Sequence, residues 1–308
     1  MRDQQEKTVP HPRKEPRYDG PLTIEGLERI FSDCVDFTRR PVALEGESAC
    51  TLTMCFISGM VRMERVSDYV LKPLAEDDGL RRCATVEKAM KRMEEGALYN
   101  LSVARRSTLD QGAFDLVAGW CLLFFPGERE ALSFFVGTEE KRSVSAPDNE
   151  TVLKGARDAF VESLRTNTSI VRRHLKAPEL RIREQTVGRQ SATLVDILYI
   201  EGITDPALVD ALEEQLRDID IDGVFATGNI EEYIVPAQRT PFPLVQYTER
   251  SDRFCAGLSE GRVGMLIDGI PLGYLTPAVL GNFLQAPQDK SSSWMLATTL
   301  TLLRYACM

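Results

Sequence analysis

Long apolar runs are missing from this sequence, and so is any excess of positive charge. No window approaches the roughly 20 consecutive apolar residues that a membrane-spanning helix needs. The best candidate, WMLATTLTLLRYACM from Trp294 to Met308, is too short and carries Arg304. No apolar h-region follows Met1, so a secretory leader is not expected. Lys and Arg number 37 against 46 Asp and Glu, giving a net charge of −9 and a pI near 5.0. A general nucleic-acid binder needs a basic surface to neutralise phosphates, so no nucleic-acid partner is expected.

Histidine is scarce: His11 and His174 are the only two. They cannot form a zinc-binding pair one helical turn apart, and His11 lies in polar N-terminal sequence where it cannot serve a serine triad. The seven cysteines contain no C-x-x-C. Their odd number and scatter through apolar runs suit reduced core thiols of a cytosolic chain, not a disulfide framework. No G-x-x-x-x-G-K-[ST] occurs, and Gly257, Gly261 and Gly264 have the wrong spacing for a phosphate loop and precede a strand. The chain is therefore read as a non-enzyme, with no catalytic residue, no cofactor and no metal assigned.

What is present is a pattern that occurs twice. RRPVALEGESACTLTMCFISG reads as a hairpin turning at Glu45-Gly46-Glu47 and ending at Gly59. LRIREQTVGRQSATLVDILYIEG reads the same way, turning near Gly188 and ending at Gly202. An amphipathic helix follows each, ERVSDYVLKPLAE in one case and DPALVDALEEQLRD in the other, the second with Asp205 as N-cap and Pro206 at the first helical position. Further on, a helix and a hairpin with a Pro126-Gly127 turn are matched by a helix and a hairpin with an Asp268-Gly269 turn. Gly59 and Gly202 are about 143 positions apart, and Gly119 and Gly261, like Gly127 and Gly269, about 142. The expected fold is α/β (mixed α+β): two similar small α/β subdomains with mixed sheets and hairpins, joined by an amphipathic linker helix. The expected divisions are a mobile polar arm at 1–20, a first subdomain at 21–150, the linker helix at 151–178, a second subdomain at 179–288 and an amphipathic tail at 289–308.

In the linker, KGARDAFVESLRTNTSIVRRHLKAP, a helical face gathers Phe160, Leu164, Val171 and Leu175. Asn167 lies on the same stripe, and Arg172, Arg173, His174 and Lys176 crowd the C-terminal end, where they suit the helix dipole. The basic face is either solvated or a dock for an acidic partner, a neighbouring subunit or a lipid surface. A second conspicuous stretch is DIDIDGVFATGN, residues 218–229. Asp218, Asp220, Asp222 and Gly223 match the first half of a calcium loop, but its twelfth position is Asn229 where a bidentate Glu is required. Alternation of Ile219 and Ile221 with the aspartates fits a half-buried extended segment equally well.

The stretches VLKGARDAFVESLRTNTSIVRRHLKAPEL, VDILYIEGITDPALVDALEEQL, IDIDGVFATGNIEEYI, PFPLVQYTERSDRFCAGLSEGRVGMLIDG and LTLLRY run in order through 152–305. In them the chain resembles the A subunit family of bacterial spore germinant receptors, the GerA family. LERIFSDCVDF and CFISGMVRMERVSDYVLKPL resemble it more loosely. The family motif G-P-R-E-G-F stands here as Gly155-Ala156-Arg157-Asp158-Ala159-Phe160, without its proline and second glycine.

The resemblance implies a cytoplasmic two-part α/β domain at the core face of the spore inner membrane. It would act in receptor assembly and in transmitting the nutrient signal, with ion release through a membrane region expected to begin where Met308 falls. It also implies B and C subunits as partners, self-association in the full receptor and membrane adjacency through the C-terminal tail. The alternative is a two-lobed soluble small-molecule sensor without a channel role. Within the family reading, Arg157, Arg165, Arg172 and Arg173 are expected to bridge the lobes or meet a neighbouring subunit. Asn167 is expected to be a buried polar residue fixing register, and Asp218, Asp220, Asp222 and Gly223 to form a turn or acidic interface.

Overall fold

The computed structural model describes residues 16–44, 50–97, 102–137, 158–223, 244–279 and 294–307. The chain divides into two compact units, Met1–Glu140 with Lys176–Pro178, and Lys141–Leu175 with Glu179–Met308.

The first unit runs α1 (Ile24–Ile30), β1 (Phe37–Leu44), β2 (Cys50–Ile57), short helices between Met63 and Arg92, β3 (Val103–Arg106), α2 (Leu109–Val117), β4 (Trp120–Phe124) and β5 (Ala131–Phe135). The second runs α3 (Leu164–His174), β6 (Leu180–Val187), β7 (Thr193–Ile200), α4 (Pro206–Arg217), β8 (Gln246–Thr248), α5 (Ser251–Ser259), β9 (Val263–Ile267) and β10 (Gly273–Thr276). A last helix, α6 (Trp294–Ala306), follows. The sheet orders are β1-β2-β4-β5-β3 and β6-β7-β9-β10-β8, the same permutation twice. Registers repeat as well: Phe37 faces Ile57 as Leu180 faces Ile200, and Leu122 faces Ser133 as Gly264 faces Leu275. Even the approach to α1 and α3 is shared, with Leu22 N–H donating to Ser107 O and Phe160 N–H to Glu249 O, 2.8 Å each.

The α/β class with two similar units holds, but among the described residues every ladder is antiparallel where mixed sheets were expected. Two of the four strand connections in each unit are hairpins, β1–β2 and β4–β5 and their counterparts β6–β7 and β9–β10, and a hairpin can only join antiparallel strands. Each sheet is covered on both faces. In the first unit Met54, Phe56, Leu123 and Phe134 face the helices after Met63, while Cys55, Ile57 and Leu122 face α1 and α2. In the second, Val195, Ile197 and Met265 pack on Val209, Leu212 and Leu216 of α4, while Leu180, Ile182 and Leu198 pack under α3 and α5. Burial on both faces explains why CTLTMCFI and TLVDILYI read as near-continuous apolar runs.

Three expected boundaries shift. The linker helix begins at Leu164, and Phe160 sits before it in an extended segment bridged to Arg250 through Ala159. That helix is part of the second core, because Leu164 and Val171 bury against Ile182 and Leu198. The end of the expected arm is tied down: Asp110 Oδ1 accepts the N–H groups of Arg17 and Tyr18 at 3.0 and 3.3 Å. Residues 1–15 and the Glu45-Gly46-Glu47 turn lie outside the described residues.

Two glycines are required by geometry. Gly119 and Gly261 have φ of +87° and +90°, and an added Cβ would stand 3.1 Å from Met60 O and 3.2 Å from Ile203 O. Only glycine enters this left-handed turn so close to another backbone. A different pair shows how the two copies diverged. Under α2 the first unit sets Gly112 against Leu122; under α5 the second sets Phe254 against Gly264. A Cβ on Gly264 would lie 2.4 Å from Phe254 Cζ, so the helix carries the bulk in one unit and the strand in the other. Gly264→Leu is expected to destabilise the second unit by about 1–3 kcal/mol through overpacking. Adding Phe254→Ala should return part of that loss, and urea melts of both single variants and the double variant measure the coupling. Strict additivity would mean that the two positions do not share one volume.

Candidate functional site

The expected site residues cluster on α3. Its N-terminus is closed by a distant group: Asp268, from the β9–β10 turn, accepts from Leu164 N–H at 3.1 Å, and Gly269 N–H donates to Glu162 O at 2.8 Å. A carboxylate beside the first turn satisfies orphan N–H donors and favours the dipole. The Asp268-Gly269 turn therefore both reverses the chain and seats the helix.

Arg165 pairs with Glu184 of β6 and reaches Asp196 of β7 at 3.5 Å. Those two acids stand directly opposite each other in the β6–β7 register. Like charges so placed repel, and the guanidinium between them removes the conflict. Asp196 is fully buried. Its Oδ2 lies 2.8 Å from Thr168 Oγ1, which is also 3.0 Å from Leu164 O, and the hydroxyl donates to one of the two at a time. Asn167 is fully buried and clasps both backbone polar groups of one residue: its Oδ1 accepts from Val161 N–H at 2.8 Å and its Nδ2 donates to Val161 O at 2.5 Å. The side chain acts as a short ladder rung, holding the extended segment before α3 against the helix.

Arg172 is wholly buried and Arg173 partly so, while Arg165, His174 and Lys176 stay exposed, so the expected basic face is only partly solvated. The buried stripe is wider than periodicity suggested, taking in Thr168, Ser169 and Arg172 beside the apolar positions. The ion pairs of Arg165 lie inside the second unit. Arg157 is outside the described residues.

At the far end of α3, His174 Nε2 is 3.1 Å from Ser251 Oγ and 3.7 Å from Asp158 Oδ2. This trio is not a relay. The acid approaches the same imidazole nitrogen as the serine, whereas a triad places it on the other nitrogen. Ser251 is also fully buried and donates to Asp158 O at 3.1 Å. Nor do the core thiols offer a nucleophile: burial pushes Cys55 and Cys255 up to about 12 and raises Cys121 as well. A thiol held in its neutral form is a poor nucleophile.

Asp218, Asp220 and Asp222 remain exposed, while Gly223 is buried. Ile219 and Ile221 pack partly against the second core. The β6–β7 turn grips this segment by its backbone. Arg189 N–H donates to Ile221 O at 2.9 Å, and Gln190 and Ser191 N–H donate to Asp222 O at 2.8 and 3.1 Å. Asp220 meets Arg189 of the same hairpin at 2.7 Å, both side chains well exposed. Positions from Val224 onward, including Asn229, lie outside the described residues. Among the described residues no group of three or more His, Cys, Asp or Glu is placed to hold a metal ion.

Glu184, Asp196 and Thr168 were not singled out from the sequence, and Asp268 was read only as a turn residue. One signal was there, a lone acid in the middle of the apolar run TLVDILYI. A second buried pair was also missed: Arg106 of β3 donates from Nε to Asp115 Oδ2 of α2 at 2.6 Å and stands 5.9 Å over the Trp120 ring.

The family model described as Bacillus/Clostridium GerA spore germination protein matches residues 25–308. Spore germination protein KA of Bacillus subtilis (strain 168) is 30% identical over 269 residues, covering 87% of this chain and 49% of that protein. An uncharacterized membrane protein of the same organism, YfkQ, is 29% identical over 92% of this chain and 54% of its own length. Stage V sporulation protein AF is 35% identical over 68% of this chain and 43% of its own. The chain thus spans about half the length of these relatives. Among solved structures, the N-terminal domain of the A subunit of the Bacillus megaterium spore germinant receptor GerK3 superposes with a TM-score of 0.68 and 26% identity, covering 86% of this chain and 99% of that one. Fold, repeated units and sequence agree: this chain belongs to the GerA family of spore germination proteins.

Proposed function

We propose that this chain is the N-terminal part of a germinant-receptor A subunit, at the core face of the spore inner membrane. There it would assemble with B and C subunits and transmit the nutrient signal that ends in ion release through a membrane region. The observation that carries this reading is the match to the GerK3 A-subunit N-terminal domain over nearly that domain's whole length. The internal ties of α3 support a structural rather than catalytic role, because Arg165, Asn167 and Thr168 spend their polar groups on holding the second unit together.

The reading is tested in the spore-forming host. Deleting the gene is expected to slow germination with at least one nutrient while leaving spore yield unchanged. The tagged protein is expected to co-purify with B and C subunits from spore membranes. Normal germination with every nutrient, together with no co-purifying subunit, would sink it.

A further inference from the structure

Two buried donors in the first unit have no hydrogen-bond partner among the described residues: Ser133 Oγ of β5 and Trp120 Nε1 of β4. Ser133 is fully buried and Trp120 is 3% exposed. The register sets them side by side. Trp120 stands opposite Phe135 and Leu122 opposite Ser133, so Trp120 and Ser133 are diagonal neighbours on one face of the sheet. Diagonal neighbours lie about 7–8 Å apart, within reach of an aromatic side chain. Leu122, Ala104 and Ala131, beside Ser133 on this face, offer no polar side-chain atom. The polar pair on the face is Arg106 with Asp115. Arg106 stands opposite Ala131 and holds its guanidinium 5.9 Å from the Trp120 ring centroid, and Asp115 brings its carboxylate down from α2.

A buried hydroxyl without a partner is unfavourable, and an alanine of nearly the same shape would avoid the cost. The second unit shows that the fold does not need a hydroxyl here. Leu275 takes the place of Ser133, as Gly264 takes that of Leu122. Trp120, one position after Gly119, corresponds to Arg262, one after Gly261. That guanidinium finds side-chain acceptors, Gln246 Oε1 and Glu260 Oε2 at 2.8 Å each, and only its Nε has none. The first unit instead keeps two donors that no side chain accepts.

We infer that one water molecule is built into the first unit at this place, accepting from Ser133 Oγ–H and Trp120 Nε1–H and donating to Asp115. A carboxylate accepts about four hydrogen bonds. Arg106 fills Asp115 Oδ2 at 2.6 Å and approaches Oδ1 only at 3.4 Å, so acceptor capacity is left. Water is the ligand that fits two neutral donors beside an ion pair already in balance. An anion would meet the Asp115 carboxylate, and Ser133 is closed to solvent, so nothing larger reaches it. Buried waters make about three hydrogen bonds each, the number on offer here. The water joins β4 and β5 to α2 and so forms a hydrated joint beside the Arg106–Asp115 pair. The site is independent of the receptor role.

The test uses the full chain with Trp294→Phe, which leaves Trp120 as the single tryptophan. In a water-selective nuclear Overhauser spectrum the Trp120 indole N–H is expected to give a cross-peak at the water frequency. The peak should survive in Ser133→Ala, because the water keeps Trp120 and Asp115. A peak relayed by the exchanging Ser133 hydroxyl would vanish in that variant and overturn the inference, as would absence of the peak from the parent. Stability gives a second readout, with opposite signs for a wet and a dry layer. With the water in place, Ser133→Ala removes a satisfied hydrogen bond and should raise the unfolding constant roughly five-fold in urea melts. In a dry layer the same change relieves a stranded hydroxyl, so a variant at least as stable as the parent would overturn the inference. The variant lacks a single oxygen atom, so it is expected to fold.

Discussion

Asp115→Ala is expected to lower the stability of the first unit by about 3–5 kcal/mol, the usual cost of stripping one partner from a buried ion pair. Asp115 and Arg106 are both buried, and Arg106 donates to Asp115 through Nε and, at 3.4 Å, through Nη2. Arg106 has nowhere to go once the carboxylate is removed. It is anchored in β3, whose register against β5 is fixed from Val103 to Arg106, and it lies over the face of Trp120. The deletion therefore leaves a cation in an apolar layer, which costs far more than a lost hydrogen bond. For a unit of this size the shift in melting temperature is roughly 10 °C. The double variant Arg106→Leu with Asp115→Leu should regain most of the loss, because apolar groups of similar volume replace a buried pair at little net cost. Urea melts followed through Trp120 in a Trp294→Phe background read the first unit directly. A double variant as unstable as the single would show that the pair does more than neutralise itself.

Asn167→Ala is expected to cost the second unit about 2–3 kcal/mol, since it strands both the N–H and the C=O of Val161 at roughly 1–3 kcal/mol for each group not recovered by water. The sharper variant is Asn167→Asp. A carboxylate keeps the acceptor for Val161 N–H but presents a negative oxygen to Val161 O where an N–H donor stood. The protonated acid can donate there, so the folded state prefers the proton and the carboxyl is raised above its ordinary value of about 3.9. A group raised on folding contributes its stability below the unfolded value and loses it as pH rises through the folded value. Asn167→Asp should thus approach the parent near pH 4 and fall away toward pH 7. A pH-independent gap between the two would remove the clasp from the account.

The contrast between these two sites shows what a sequence carries. The strands, the hairpins at Gly188 and Asp268-Gly269, the Asp205-Pro206 helix start and the twofold repeat were all readable, because each is written in local periodicity or turn chemistry. The order of strands in each sheet was not. It depends on β3 and β8 joining β5 and β10 at the edge, a choice made by which faces can be buried. The buried charges were equally hidden. Arg165 meets acids 19 and 31 positions away, at Glu184 and Asp196, and only the β6–β7 register brings these two acids opposite each other.

DIDIDG reads from sequence as half a calcium loop, yet its backbone is held by three N–H groups from a hairpin tip some 30 residues earlier. Composition and periodicity alone determined that this protein is an acidic, two-unit α/β chain with reduced thiols. Tertiary structure decided that the helix between the hairpin patterns is core to the second unit and that Arg172 turns inward while Arg165 pairs with acids from an exposed position. Pairing opposite charges in a closed layer is a property of neighbours in space, which local sequence does not specify.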